Sequence, residues 1–296
     1  MKVIDNNVYT FSAENAPAET ACPGEVLLFR TLDCFGGQIK AESQTVQGLD
    51  MDHTNPAAGP VRIEGAAVGD VLMVDILDVA VEEAGIVCSM DGDGPLSHIA
   101  QVRTRKIPIQ EGYAQFNGIQ WPVRPMIGVI GTAPEEGTIG CGFTGNHGGN
   151  MDSRHIRKGT RVYLPVRVPG AMLQMGDVHA TMGDGELCGT GIEIGSEILI
   201  KTRLIKDFQL NWPVTETEDW WYVNTTGTSY DEALKLGCEE LCRLMQPVYG
   251  WDATDIFLYL SMQGTVEINQ GMRPAPCDML NLRVGVPKLE GRTLIH

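Results

Sequence analysis

The sequence predicts a mainly β protein with a C-terminal α+β portion, and three observations carry that reading. Glycine and proline number 35 and 16 in 296 residues, so the chain must turn often. Before about residue 205 the apolar segments are short, β-branched and cut roughly every ten residues by Gly, Pro, Asn or Asp, the spacing of an all-β region. Helical periodicity is confined to the last third. Residues 1–205 are therefore expected to form a β-rich region and residues 206–296 an α+β region.

Taken in chain order, VRIEGAAVGDVLMVDILDV (61–79), RPMIGVIGTAPEEG (124–137) and GTRVYLPVRVPGAMLQMGD (159–177) read as strands. In the last of these Val162, Leu164, Val166 and Val168 alternate with Arg161, Tyr163, Pro165 and Arg167, which predicts one buried and one exposed face. Pro165 and Pro169 cannot donate to a ladder and predict an edge position. Ser229 with Glu232 forms a capping box ahead of DEALKLGCEELCRLM. Leu234, Cys238, Leu241 and Met245 then share one helix face, so Cys238 and Cys242 read as core residues rather than a metal pair. A second helix is expected from Asp252 to Ser261, followed by strands in VEINQ and LNLRVGVP.

A net charge of -16 repels phosphate backbones and anionic membranes, and no basic patch offsets it, so nucleic-acid and membrane partners are excluded. No basic start with an apolar run opens the sequence and no stretch is long enough to span a bilayer, which predicts a cytoplasmic protein. The eight cysteines lack paired spacing and are expected to be free thiols.

The densest chemistry lies in GDVHATMGDGELCGTGIE, residues 176–193, where one imidazole and four carboxylates stand among glycines. If Asp177 to Thr181 is extended, Asp177 and His179 project from the same face. Asp184-Gly185 suits a tight hairpin, which would return Glu186 on the adjoining strand beside His179. An imidazole with carboxylates suits a divalent transition ion, zinc first, with iron or manganese as alternatives. The competing reading is a surface hairpin decorated with acids around a half-buried histidine.

Other candidates are FTGNHGGNMDSR, with His147, Asn150 and Asp152 around a Gly-Gly pair, and TLDCFGGQI, with Asp33 and Cys34. LDMDHTNPAAGP would put Asp50 and Asp52 on one face if extended. SMDGDGPLSH begins like a calcium loop at Asp91, but Pro95 and Val102 occupy ligand positions, which excludes an EF-hand. A phosphate-binding loop, a dinucleotide fingerprint and a nucleophile elbow are all missing from the sequence.

Read together, DCFGGQI, NPAAGPVRIEGAAVGDVL, GNHGGNMDSR and VYLPVRVPGAMLQMGDVHATMGDGELCGTGIE resemble the acetamidase/formamidase family over nearly the whole chain. The likeness departs at SMQGTVEINQ, where the family's usual acid before the Gln is missing. The resemblance implies a jelly-roll-like β-sandwich with a smaller barrel-like β unit. It further implies a metal-associated amidohydrolase that converts short amides such as formamide or acetamide to a carboxylate and ammonia. The matching site positions are Asp33, Asn150, Asp152, Asp177, His179, Asp184 and Glu186.

On this basis a divalent ion is expected on His179 with Asp33, Asp177, Asp184 and Glu186, activating water for attack on the amide. Asp152 or Glu186 would move the proton, and Asn150 or the Gly148-Gly149 N–H groups would polarise the carbonyl. A thiol amidase using Cys34, Cys141 or Cys188, and a non-catalytic metal-containing binding sandwich, stand as alternatives. Edge strands and prolines suggest a homodimer.

Overall fold

The computed structural model describes residues 1–272 and 279–296. The strands that frame the site are β1 (Val26–Thr31), β2 (Ala57–Ile63), β3 (Val71–Val81), β4 (Ala84–Ser89), β5 (Arg103–Gln110), β6 (Met126–Gly131), β7 (Gly148–Asn150), β8 (Arg161–Pro165) and β9 (Leu173–His179). The two-residue β10 (Glu193–Ile194) leads into β11 (Ser196–Ile205), β12 (Val214–Glu216) and β13 (Trp220–Gly227). Two helices, α1 (Tyr230–Tyr249) and α2 (Ala253–Gln263), precede β14 (Thr265–Gln270) and β15 (Leu280–Pro287).

The strands form two large sheets. One runs Lys2–Ile4, β1, β11, β3, β8, β12, β13, β15, β14. The other runs Ile119–Pro122, Tyr113–Phe116, β5, β4, β10, β9, β6, β7 and Thr144–Gly145, with β2 also paired to β9. Among the described residues neither sheet closes on itself, so the smaller β unit implied by the family likeness is not a closed barrel. The first sheet is continuous across residue 205, because β8 pairs with β12.

Side-chain alternation sorts this first sheet between two cores. Leu72, Val74, Ile76, Val162 and Leu164 pack towards the second sheet, where Ile127, Ile130, Leu173, Met175 and Val178 meet them. Val71, Met73, Tyr163 and Trp221 point the other way, onto Ala233, Leu241, Leu244 and Met245 of α1 and Ile256 of α2. The order is thus sheet, sheet, helices. Two expectations for 161–168 are corrected here. Tyr163 is buried under the helical layer rather than exposed. The strand is also internal, lying between β3 and β12. Pro165 is tolerated because β12 pairs only with Arg161–Tyr163, so no neighbour on that side needs its missing N–H.

The helices form where the sequence places them. Ser229 Oγ accepts from Glu232 N at 3.2 Å, while Glu232 Oε2 accepts from Thr228 N at 2.7 Å, so the reciprocal half of the capping box moves one residue upstream. Cys238 and Cys242 pack against the helical core, and all seven described cysteines are free. Asp50 is the N-cap of a short 3-10 turn and pairs with His53, so Asp50 and Asp52 do not share a strand face. Among the described residues no helix is long and apolar enough to cross a membrane.

Candidate active site

Four separated stretches deliver ionisable side chains to one buried point at the end of β9. That strand contributes Asp177 and His179, and its neighbour β10 places Glu193 directly opposite His179. The segment after β7 brings Asp152, and the loop of residues 181–190 brings Glu186. From His179 Nε2 the distances are 3.0 Å to Glu193 Oε2, 3.4 Å to Asp177 Oδ1, 3.8 Å to Glu186 Oε1 and 3.9 Å to Asp152 Oδ1. All five residues are at most 6% exposed, so water solvates none of them freely.

The backbone is bent to achieve this. Asp152, Asp177 and Glu186 all have positive φ, at 43°, 51° and 43°. Such values cost a non-glycine residue about 1–3 kcal/mol and persist only where the surroundings impose them. Glycines make room for the acids: a Cβ at Gly128 would lie 2.4 Å from Asp152 Oδ1 and 2.7 Å from Asp177 O. A Cβ at Gly191 would lie 2.7 Å from the His179 ring.

Among the described residues no arginine or lysine balances these acids, and their ion-pair partner is His179 alone. Burial and the charges of Glu186 and Asp177 hold the Asp152 carboxyl well above its ordinary range. Burial, with the charges of Glu193 and Asp177 opposed by His179, pushes Glu186 up to about 8. Burial likewise pushes Glu193 up to about 8. Burial alone would lower His179, but Glu193 and Asp177 raise it. Carboxyls crowded this way resist ionising together unless a cation joins them.

The donor set fits a divalent cation. Among the described residues Asp152 Oδ1, Asp177 Oδ1, His179 Nε2 and Glu193 Oε2 are buried yet lack an aligned hydrogen-bond partner, so their lone pairs converge without satisfying one another. Ligands about 2.0–2.2 Å from a tetrahedral zinc are roughly 3.3–3.6 Å apart, and the spacings from Nε2 bracket that range. Asp152, His179 and Glu186 present donor atoms within 4.8 Å of one another, as do Cys34, Asp177 and Glu193.

Of the residues expected from sequence, Asp152, Asp177, His179 and Glu186 come together. The hairpin meant to bring Glu186 back does not form. Instead Gly185 bridges to Gln270 of β14, donates to Asn269 O at 3.0 Å and accepts from Gly271 N at 2.7 Å. The Asp184 carboxylate is taken by Arg283 at 2.6 Å and Arg154 at 2.8 Å and lies outside both donor groups. Asp33 Oδ1 accepts from Gly37 N at 2.9 Å and holds the turn that carries Cys34, outside both donor groups. Asn150 donates from Nδ2 to Gly142 O at 3.3 Å, and its Oδ1 is unpartnered.

Two site residues escaped the sequence reading. Glu193 was hidden because only strand pairing places it opposite His179. Gln270 arrives from the far end of the chain, donating from Nε2 to Asp152 Oδ2 and, at 3.3 Å, to Glu186 Oε2. The thiols are poorly disposed as nucleophiles. Burial, then the charges of Glu193 and Asp177, hold Cys34 protonated, and burial pushes Cys141 up to about 12. Cys188 Sγ donates to Thr190 O at 3.6 Å.

A cavity of about 660 Å³ opens beside the centre, with Trp121, Arg154, Thr181, Met182 and Gly191 in its wall. Gly191 lines this cavity and also lies against the His179 ring.

Comparison with known proteins converges on one family. The acetamidase/formamidase family model matches residues 10–140 and 142–271. A formamidase of Methylophilus methylotrophus is 29% identical over 296 residues, covering 72% of this chain and 70% of the relative. The chain spans 62% to 70% of the length of three curated relatives. Solved structures match over more of their length. An acetamidase from Bacillus halodurans superposes with a TM-score of 0.92 at 32% identity, over 96% of this chain and 97% of that one. A predicted acetamidase/formamidase from Thermoanaerobacter tengcongensis gives 0.92 at 35% identity, over 97% and 95%.

Proposed function

The chain belongs to the acetamidase/formamidase family, and from that membership together with the buried acid–imidazole centre we propose that it hydrolyses short primary amides to a carboxylate and ammonia with a divalent cation. The observation that carries this reading is the convergence of four buried acids on His179 Nε2 with no other cation to balance them among the described residues.

Asp152, His179 and Glu186 would hold the ion, and their mixed nitrogen and oxygen donors favour zinc. When bound there, such an ion supplies Lewis acidity, lowering the pKa of water from about 15.7 towards 7 and polarising a carbonyl. The chain's own groups do the rest. Gln270 Nε2 holds the outer oxygens of Asp152 and Glu186, which fixes the inner oxygens towards His179. One of these two carboxylates takes the proton from the attacking water and returns it to the departing nitrogen, without which the amine would be a poor leaving group. Asn150 Oδ1, a buried acceptor with no partner, suits the N–H of an amide better than its carbonyl. A β-enclosed centre of this kind excludes bulk water, which strengthens each electrostatic contact.

The test is ammonia release from formamide, acetamide and propionamide, paired with elemental analysis, before and after chelation. Activity and metal are expected to be lost together and restored together. A His179→Ala protein that keeps full activity would overturn the reading, as would full activity after complete metal removal.

A further inference from the structure

We propose that the centre holds two cations rather than one, the second bound by Cys34 Sγ with the carboxylates of Asp177 and Glu193. The inference rests on the metal-dependent reading above and deepens it. Three observations support it.

The first is geometric. Cys34, Asp177 and Glu193 offer one donor atom each within 4.8 Å of one another, and none of these three residues belongs to the Asp152–His179–Glu186 group. The second is partner satisfaction. Among the described residues Asp177 Oδ1 and Glu193 Oε2, on residues 2% exposed, have no aligned hydrogen-bond partner and face only His179 Nε2, at 3.4 and 3.0 Å, a nitrogen already engaged by the first ion. Buried acceptors in that state are expensive unless a donor or a cation meets them. The third is charge. Asp152, Asp177, Glu186 and Glu193 ionised carry four negative charges, and a single divalent ion beside a neutral imidazole leaves two of them uncompensated. A second divalent ion on the Asp177–Glu193 side offsets those two charges, so that after the Cys34 thiol ionises on binding it a single negative charge remains.

The local fold supports this use of Cys34. Asp33 Oδ1 accepts from Gly37 N at 2.9 Å and Asp33 O accepts from Gly36 N at 2.9 Å, closing a tight turn around the cysteine. Cys34 O accepts from Asn55 N at 2.6 Å, and Asn55 Nδ2 reaches Asp177 Oδ2 at 3.5 Å. Thus Cys34 and Asp177 are braced through one residue. A thiolate beside two carboxylates selects a borderline or soft divalent ion, such as zinc, cobalt or cadmium, over magnesium or calcium.

The experiment strips the full-length protein with a chelator and titrates it with cobalt(II), reading bound metal by elemental analysis and thiolate-to-cobalt charge transfer in the near ultraviolet. Two cobalt ions per chain are expected, with the charge-transfer band growing on only one of the two equivalents. Cys34→Ser should bind one cobalt and show no band, while Cys88→Ser and Cys141→Ser keep both. Should Cys34→Ser fail to fold, X-ray absorption of the cadmium-loaded wild type decides, with one sulfur expected per two cadmium ions. A single ion per chain, two ions with no thiolate band, or a band that survives in folded Cys34→Ser would overturn the proposal. Two ions with the band in a protein that hydrolyses no short amide would instead sink the activity reading alone.

Discussion

Glu193 Oε2 stands 3.0 Å from His179 Nε2 across the last rung of the β9–β10 pair. Its other oxygen, Oε1, accepts from Gly191 N at 2.9 Å, so the carboxylate is fixed at both ends. Glu193→Gln preserves shape and removes charge. Ammonia release and metal affinity are each expected to fall by about 10- to 100-fold, the usual cost of losing a group that supports a metal site. The check is a rate measurement beside a far-ultraviolet dichroism spectrum, which should not change; a near-wild-type rate would remove Glu193 from the centre.

Gly128 sits opposite Asp177 on β6, and its carbonyl accepts from Met151 N at 3.0 Å and Asp152 N at 3.2 Å. A methyl group there would press on backbone as well as carboxylate. Gly128→Ala should therefore lose about 1–3 kcal/mol of stability, as overpacked cores do, and most of its activity. Urea denaturation with an ammonia assay reads both, and an unchanged midpoint would contradict the close approach.

Glu186 adopts a left-handed backbone at φ 43°. Replacing it removes the acid in every case, but glycine also relieves the backbone whereas alanine does not. Glu186→Gly is expected to be about 1 kcal/mol more stable than Glu186→Ala, with both inactive. Equal stability of the two variants would show that the loop relaxes once the acid is gone.

Glu267 on β14 accepts from His155 Nε2 at 3.0 Å and pairs with the fully buried Arg283. Burial alone would raise its carboxyl, but His155 and Arg283 hold it down at about 2. A carboxylate depressed in the folded state contributes stability that is complete above its ordinary value and lost as pH falls towards the folded one. Glu267→Gln should cost about 3 kcal/mol near neutrality. That difference should shrink between about pH 4.5 and pH 2. Denaturant midpoints for both proteins across that range provide the measurement, and a constant gap would contradict the ion pair's role.

The parts of the fold legible in the sequence were those set by short-range pattern. Strand segmentation, the Ser229 cap and the Leu241–Met245 face follow from residues within one or two turns of each other. Whether β8 lies inside or at the edge of a sheet depends on β12, fifty residues away, and the two prolines gave the wrong answer because the missing N–H falls beyond the paired stretch. The site divides the same way. Asp177 and His179 were visible through their spacing. Glu186 comes within 3.8 Å of His179 by a route its neighbours in sequence do not reveal, since β14 rather than a hairpin positions its loop. Asp184, one residue from Gly185, carries the same chemistry on paper but meets two guanidinium groups that only the C-terminal strands and the 153–157 segment bring near.

The tether between Gly185 and Gln270 has a consequence for the order in which this protein matures. While the chain is being extended through α1, the loop bearing Glu186 has no strand to lie along and Asp152 has no amide to hold it. The geometry of the centre is therefore fixed only after β14 has been made, and a chain divided between α1 and α2 should hold Asp152 and Glu186 loosely until its two pieces reunite.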